Sequence, residues 1–174
     1  MFEGCYEHKL DEKDRLIVPG RFRSELGRRF YVTRGHEECL YILREADYMA
    51  LAEIVRAVAA APAGREADAQ LVPMPSAQPG GVSNEALLTA RAMFSPSARA
   101  LQRHFFSDSY EASPDAQGRI ILADSLKRYA GIDRTVVVVG VGDRIELWSP
   151  ELWQAEMTGS REKAQMAARD LSLA

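Results

Sequence analysis

The hydrophobic and polar positions of this chain follow the same order twice. The stretches DEKDRLIVP at residues 11–19 and DAQGRIILA at residues 115–123 both open with Asp-x-x-x-Arg and continue into apolar, strand-forming residues. A short helical pattern that ends at a glycine follows each, GRFRSELG in the first copy and ADSLKRYAG in the second. One supersecondary unit is therefore written twice, at an offset of 104 residues that becomes 105 after a one-residue gap.

Each copy predicts the order strand, turn, strand, short helix, strand, turn, strand and closing helix. The strands are expected at 5–10, 16–18, 30–33 and 39–43 in the first copy, and at 110–112, 119–122, 135–139 and 144–148 in the second. The run TVVVV at 135–139 favours a strand that is buried on both faces. Ser149 and Pro150 are typical of the N-cap and the first position of a helix.

The two copies set the expected domain boundaries. Residues 1–52 and 107–153 form the two units, residues 53–106 form a helical connection with helices at 84–94 and 96–106, and residues 154–174 form a charged tail. The segment at 62–81 is rich in proline and glycine and almost without periodicity, which predicts an exposed loop. A unit of about 45 residues is near the size at which an isolated domain struggles to bury a core, so we expect one shared core.

The Asp-x-x-x-Arg spacing predicts a tight turn. Positions four apart in a strand are separated by about 13 Å, too far for an Asp and an Arg to touch. The tetrapeptide DAQG suits a type I turn, in which the Asp carboxylate accepts a backbone N–H two residues on and Gly118 takes the fourth position. In the first copy Asp14 stands in the place of that glycine. The carboxylates expected to lock these turns and the arginines that follow the tips are Asp11 with Arg15 and Asp115 with Arg119.

Two interpretations of the arginines remain open at this level. For a single Asp-x-x-x-Arg the structural one is stronger, because an Asp–Arg pair across the turn explains it. Two copies in equivalent places of the repeat favour a loop tip whose structure is required for a contact, but they do not show what that tip contacts. Charge does not decide: the net charge is −3, residues 9–36 carry eight basic and four acidic residues, and residues 107–174 carry eight basic and eleven acidic ones. A basic surface would belong to the first copy, and an ordinary solvated surface is equally compatible.

The sequence offers no constellation for catalysis. His8, His36 and His104 are scattered without metal-ligand spacing, and there is no nucleophile elbow, P-loop or dinucleotide fingerprint. Cys5 and Cys39 lie in unrelated contexts, which excludes a CxxC site and indicates reduced thiols in the cytosol. The start is too polar for a signal peptide, and the longest apolar run is too short for a bilayer. We expect a non-enzyme with no catalytic residues, metal, cofactor or membrane partner.

The opening MFEGCYEHKLDEKDRLIVPGRFR and the later stretch DAQGRIILADSLKRYAGIDRTVVVVGVGDRIELWSPELW resemble the MraZ family of bacterial transcriptional regulators. The resemblance covers about residues 1–52 and 95–153. The chain departs from the family at Asp14, where Gly is usual, at Ala123, where Pro is usual, and in a longer segment at 61–92. The resemblance implies an α+β fold, with two AbrB-like swapped-hairpin units that form a pseudo-two-fold β-barrel with flanking helices.

The same resemblance implies a sequence-specific DNA-binding regulator in the cytoplasm, associated with the nucleoid. It implies repression of a cluster of cell-division and cell-wall genes that includes its own gene. It also implies a ring-like homo-oligomer, and a head-to-tail ring predicts binding to direct repeats in double-stranded DNA. An oligomeric protein-interaction scaffold without DNA binding remains as the alternative. An unrecognised hydrolase is the weakest alternative, because nothing in the sequence supplies an activated nucleophile.

Within this interpretation Arg15 is the expected DNA contact, because an Arg fork can bridge phosphates or pair with a guanine edge. The basic residues expected to support it are Lys13, Lys9, Arg21 and Arg23. The residues expected to hold the turns are Asp11, Asp115, Gly118 and Arg119. The acidic surroundings of Arg119 favour a structural or interface role for it.

Overall fold

The strands and helices begin and end close to the positions that the repeat predicts. The structure, a computed structural model, describes residues 1–60 and 96–160. The first repeat contains β1 (Phe2–Lys9), β2 (Arg15–Ile17), α1 (Gly20–Leu26), β3 (Phe30–Arg34), β4 (Leu40–Arg44) and α2 (Glu45–Ala60). From residue 96 follow α3 (Pro96–Phe106), β5 (Tyr110–Ala112), β6 (Arg119–Ile121), α4 (Asp124–Tyr129), β7 (Thr135–Gly142), β8 (Ile145–Trp148) and α5, described over residues 150–160. The predicted strands of both repeats are confirmed to within a few residues.

These strands form two antiparallel sheets. The larger has the order β1-β7-β8-β4-β3-β5, and β2 pairs with β6 in a sheet of its own. The first strand of each repeat pairs with a strand of the other repeat: β1 runs against β7, with Lys9 opposite Thr135, and β5 runs against β3. In the middle, β4 pairs with β8. Exchanging the two repeats therefore maps the whole set of strand pairings onto itself.

The sheets are not closed into the barrel that the family resemblance led us to expect. β1 and β5 are the edges of the larger sheet, and β2 and β6 pair only with each other, over three residues each. A closed barrel would require β1 to pair with β2, and β5 to pair with β6. Instead the chain turns sharply at Asp11 and Asp115, whose N–H groups donate to the carbonyl oxygens of Arg15 at 3.1 Å and Arg119 at 2.9 Å. The observed fold is a mixed one, of helices and antiparallel sheet.

Both repeats contribute to one hydrophobic core, as expected from their size. Its fully buried side chains include Phe2 and Phe22 from the first repeat and Leu126 and Leu147 from the second. The rings of Phe2 and Phe22 meet edge-on with their centroids 5.8 Å apart. In β7 the valines at 136–139 are all buried, which confirms the prediction of a strand covered on both faces. Neither repeat has a complete core of its own.

Two compact units are present along the chain. The first, Met1–Tyr48 with Asp108–Ala174, contains both sheets. The second, Met49–Ser107, contains α3 and most of α2, with Val55, Ala98 and Phe105 buried. None of the helices in the described ranges is both long and apolar enough to cross a membrane. The predictions for the loop at 62–81, the helix at 84–94 and the tail beyond residue 160 concern residues outside the described ranges.

Gly140 allows a test of the strand exchange, because it lies against the backbone of β1. A Cβ added at Gly140 would lie 2.5 Å from both the carbonyl carbon of Phe2 and the nitrogen of Glu3. Gly140→Ala must therefore displace β1 from β7. We expect it to lower the free energy of unfolding by about 1–3 kcal/mol, the usual cost of overpacking, measured by urea denaturation.

Gly159→Ala is the matched control, because a Cβ there meets nothing within 4 Å and the residue lies in α5. In a helix this exchange is expected to raise stability, by up to about 1 kcal/mol. An unfolding midpoint of Gly140→Ala equal to that of the wild type would contradict the close approach of β1 and β7.

Candidate nucleic-acid interface

The first Asp-x-x-x-Arg loop, residues 11–15 between β1 and β2, is closed by one carboxylate. Oδ1 of Asp11 accepts hydrogen bonds from the backbone N–H groups of Lys13 at 2.9 Å and Arg15 at 3.0 Å. Oδ2 of Asp11 accepts from Nε of Arg15 at 2.7 Å and lies 2.7 Å from its Nη2. The same carboxylate thus holds the backbone of the turn and, through a forked contact, the guanidinium that follows it.

The second loop, residues 115–119 between β5 and β6, repeats this arrangement. Oδ1 of Asp115 accepts from the N–H groups of Gln117 and Arg119, both at 2.9 Å. Oδ2 accepts from Nε of Arg119 at 2.8 Å and lies 2.8 Å from its Nη2. The side chains of Arg15 and Arg119 are exposed to a similar extent, 26% and 22%. The two loops are therefore near copies in geometry, and each bends enough to bring residues four apart into contact.

Both loop carboxylates hold their negative charge more strongly than a free Asp. Partial burial acts to raise the pKa of Asp11, but hydrogen bonds from the N–H groups of Arg15 and Lys13 and from the Arg15 guanidinium outweigh it and lower that pKa. The N–H of Arg119 is the main cause of the lowered pKa of Asp115, and the Arg119 guanidinium adds to it. Hydrogen bonds to the charged form favour that form, so both turns are locked at neutral pH.

The pairing of β2 with β6 brings the two loops together. Beyond the three-residue ladder, the N–H of Val18 donates to the carbonyl oxygen of Gly118 at 3.0 Å. In the equivalent bond, the N–H of Leu122 donates to the carbonyl oxygen of Asp14, also at 3.0 Å. Each loop tip is therefore hydrogen-bonded to the chain of the other repeat, which fixes the two tips side by side.

The outer face of the β2–β6 ribbon carries two arginines and two isoleucines. Ile17 is 48% exposed and Ile121 is 62% exposed, and the register sets Arg15 opposite Ile121 and Ile17 opposite Arg119. Nη1 of Arg119 also lies 4.0 Å from Oδ2 of Asp11, across the two repeats. The sequence-based prediction missed both isoleucines. The signal was available, since alternation in a strand puts the first and third residues of Arg-Leu-Ile and Arg-Ile-Ile on one face.

The fourth position of each loop adopts a left-handed conformation, with φ of 56° at Asp14 and 79° at Gly118. Asp14 is the one residue other than glycine with a positive φ in the described part of the chain. Its Oδ1 lies 2.6 Å from Nζ of Lys127, on α4 of the second repeat. A Cβ at Gly118 would overlap the guanidinium of Arg23, on α1 of the first repeat. Lys127 was missed from the sequence, although the offset of 104 makes it the counterpart of Arg23.

The other basic residues predicted to support DNA contact differ in exposure. Lys9, at the end of β1, and Lys13, in the first loop, are exposed. Arg21 is also exposed, with an Nη2 atom 3.9 Å from a carboxylate oxygen of Glu3. Arg23 is half-buried, and its Nε finds no hydrogen-bond partner among residues 1–60 and 96–160. The structure therefore presents Lys9, Lys13 and Arg21 to solvent and packs Arg23 against the second loop.

The described residues hold no arrangement of three or more His, Cys, Asp or Glu side chains that could bind a metal ion. Cys5 is exposed and Cys39 is buried, and the two are free thiols. Burial is the main cause that raises the pKa of the Cys39 thiol well above its ordinary value, which keeps this sulfur in its unreactive protonated form.

The turn locks predict a characteristic pH dependence for Asp11→Asn and Asp115→Asn. Each carboxyl has a folded pKa below its ordinary value of 3.8. Its stabilising contribution is therefore complete above that ordinary value, which the unfolded chain has, and is lost as the pH falls through the folded pKa. We expect both variants to be less stable than the wild type at pH 7, with the difference shrinking below about pH 4. Urea denaturation at a series of pH values measures it.

Asp133→Asn, at an exposed position in the loop before β7, provides the control and should leave stability unchanged. A destabilisation by Asp11→Asn that stayed constant down to the lowest pH at which the protein folds would contradict the carboxylate lock.

Known proteins are similar in sequence to both repeats. The family described as "MraZ protein, putative antitoxin-like" matches residues 1–69 and 105–172. The transcriptional regulator MraZ of Carboxydothermus hydrogenoformans is 34% identical over 161 residues, 92% of this chain and 90% of that protein. The MraZ regulators of Desulfitobacterium hafniense strain Y51 and Saccharopolyspora erythraea are 36% and 34% identical, each over 98% of this chain and over 95% and 96% of their own lengths. Both Asp-x-x-x-Arg loops fall inside the matched ranges, and the chain belongs to the MraZ family.

Proposed function

We propose that this protein is a transcriptional regulator that binds double-stranded DNA sequence-specifically through its paired Asp-x-x-x-Arg loops. The relatives compared above carry the name transcriptional regulator, which supports the regulatory role. The observation that carries DNA binding is the placement of two Arg-bearing loops side by side at one short ribbon. The proposed function needs no catalytic residue, cofactor or metal.

The ribbon has the dimensions and the chemistry for a DNA groove. A major groove about 12 Å wide admits a two-stranded β-ribbon, and an Arg fork pairs with two acceptors on a guanine edge. Asp11 holds the Arg15 guanidinium at 2.7 Å before DNA arrives. A side chain that is already ordered loses less conformational entropy on binding. On the same face, the exposed Ile17 and Ile121 can meet the methyl groups of thymines.

Residues 9–36 carry eight basic and four acidic residues, so in this proposal charge makes the first repeat the stronger DNA contact, although Glu12 and Asp14 of its loop offset Lys9 and Lys13. Lys9 and Lys13 stand where the second repeat has Ser113 and Gln117. Cations that neutralise phosphates supply much of the affinity of proteins for DNA. Arg15 is therefore the principal contact, and its proposed supporting residues are the exposed Lys13, Lys9 and Arg21, with Arg23 contributing from its place against the second loop. The proposed turn-holding residues are Asp11, Asp115, Gly118 and Arg119.

We also propose that the two repeats are AbrB-like swapped-hairpin units, a view supported by the exchange of β1 and β5 between them. The units span residues 1–52 and 107–153, joined by the helical connection at 53–106 and followed by the tail at 154–174. The protein acts in the cytoplasm at the nucleoid. There it represses a cluster of cell-division and cell-wall genes that includes its own gene, as membership of the family suggests.

Assembly strengthens binding in this proposal. The whole chain has a net charge of −3, so a lone copy is a weak ligand for a polyanion. Linking several copies raises their effective concentration at DNA without new contacts. A ring-like homo-oligomer with head-to-tail interfaces turns its loops the same way round, which suits direct repeats near the promoter.

An oligomeric scaffold without DNA binding is the alternative function. In that case the exposed Ile17 and Ile121 would face a protein partner. A gel shift with the DNA upstream of the protein's own gene separates the two functions, because only the proposed regulator retards that fragment in preference to unrelated DNA.

Arg15→Ala should weaken specific DNA binding by roughly 5- to 150-fold per contacted site, since a bidentate Arg–base pair contributes about 1–3 kcal/mol. Circular dichroism and oligomer size should remain those of the wild type. Fluorescence anisotropy with a labelled operator duplex measures the loss.

Arg119→Ala is the matched control for Arg15→Ala. The two arginines have near-identical contacts to their own carboxylates and similar exposure, so the structural costs of the two variants should be close, apart from the 4.0 Å contact of Arg119 with Asp11. We expect a clearly smaller loss of affinity in Arg119→Ala. Equal losses in the two variants, or unfolding of Arg15→Ala, would favour the purely structural interpretation of the Asp–Arg pair.

The assembly proposal predicts a solution mass several times that of the monomer and footprints in repeated boxes. Loops that face one side of the duplex require boxes about one helical turn apart, ~10–10.5 base pairs. An insertion of about half a turn between boxes should therefore break cooperative binding, and an insertion of a full turn should do less harm. A monomer in solution, or a footprint on an inverted repeat that tolerates any spacing, would contradict the proposal.

A further inference from the structure

Asp14 is where the two loops differ most in chemistry. Asp14 and Gly118 occupy the same place in their repeats, and both have left-handed backbones, with φ of 56° and 79°. Glycine adopts this conformation without steric cost, whereas an Asp is mildly strained in it. Asp14 also puts a negative charge, 44% exposed, directly before Arg15. On a loop that approaches DNA phosphates, an uncompensated carboxylate at this point is repulsive.

Lys127 compensates that charge from the other repeat. Its Nζ lies 2.6 Å from Oδ1 of Asp14 and 3.2 Å from Oδ1 of Asp124. The Lys127 side chain is only 14% exposed, so its ammonium group is turned inward towards these carboxylates. The hydrogen bond to Asp14 is the main cause that raises the pKa of Lys127, and the group stays charged at neutral pH. A helix of the second repeat therefore holds the tip of the first loop.

Arg23 occupies the reciprocal place. It lies on α1 of the first repeat, and its guanidinium covers Gly118 at the tip of the second loop. Each loop tip is thus covered by a basic side chain from the short helix of the other repeat. Glycine lies beneath Arg in one case, and Asp lies beneath Lys in the other. Both members of the pair thus differ between the loops, Gly118 with Arg23 in one and Asp14 with Lys127 in the other.

We propose that Lys127 is a positioning residue for DNA binding by the first loop. Its ion pair with Asp14 neutralises the carboxylate and holds the left-handed bend, so that Arg15 is presented to DNA. This inference rests on the DNA binding proposed above. Lys127 acts through Asp14 and does not itself contact DNA, so the affinity of the first loop depends on a residue of the second repeat.

A double-mutant cycle tests the proposal. Lys127→Ala leaves the Asp14 carboxylate unpaired, and we expect DNA affinity to fall at least about 5-fold, within the range of couplings between contacting residues. Asp14→Gly gives the first loop the glycine that the second loop has. The double variant should therefore bind within about 2-fold of Asp14→Gly alone. Lys127→Arg, which restores a cation of the type found at position 23, should bind more tightly than Lys127→Ala. Fluorescence anisotropy with a labelled duplex from upstream of the gene measures each variant.

Hydrogen exchange tests the same contact without DNA. The Leu122 N–H is bonded to the tip of the first loop, and the Val18 N–H is bonded to the tip of the second. Lys127→Ala should speed exchange at Leu122 and leave Val18 as in the wild type. Arg23→Ala should have the reverse effect. Both measurements use the full chain.

Asp124→Ala is the control on the same helix, because it removes the second partner of Lys127 and keeps the contact with Asp14. It should leave DNA affinity and Leu122 exchange unchanged.

The proposal is overturned if Lys127→Ala weakens binding equally with Asp or Gly at position 14, since Lys127 would then act on DNA directly. It is also overturned if Leu122 exchange does not change in Lys127→Ala. Failure of the wild type to bind the duplex would overturn the DNA-binding function instead. In that case, faster exchange at Leu122 in Lys127→Ala would still show that the ion pair holds the first loop.

Discussion

Strand exchange between the two repeats is the constraint on which the rest of the structure depends. β1 pairs with β7 along its whole length, and β5 pairs with β3, so each repeat completes the backbone hydrogen bonds of the other. Side chains of both repeats fill one core, with Phe22 and Leu126 in equivalent buried places. A repeat of about 45 residues is near the size at which an isolated domain struggles to bury a core. The exchange replaces two marginal folding units by one.

The same exchange creates the proposed binding surface. β2 and β6 come from different repeats, and their pairing sets the two Asp-x-x-x-Arg loops side by side. Within each loop, the Asp carboxylate holds the turn through hydrogen bonds from the backbone and from the Arg of the same loop. Beyond that, each tip is covered by the other repeat, through Lys127 above Asp14 and Arg23 above Gly118. The contacts that hold the fold together therefore also shape the loops. In the proposal made above, this is how Lys127 of the second repeat affects DNA binding by the first loop.

Local patterns in the sequence predicted the local structure. The alternation and turn residues of each repeat gave the strands to within a few positions, and Ser149 begins α5, with its Oγ accepting from the N–H of Leu152 at 3.3 Å. Features that depend on non-local pairing were not predictable in this way. The open sheets are one example, because the spacing predicts the two tight turns but not whether β1 and β5 go on to pair with β2 and β6. The contact between Lys127 and Asp14 is another, because it joins residues far apart in the chain.

Native-state hydrogen exchange across a urea series tests the interdependence of the repeats most directly. The account predicts that amides in β1 and β3 of the first repeat and in β5 and β7 of the second open together. They should share one free energy and one dependence on urea, both equal to those of global unfolding. The contradicting result is a repeat that opens on its own, with the strands of one repeat exchanging at low urea while those of the other remain protected.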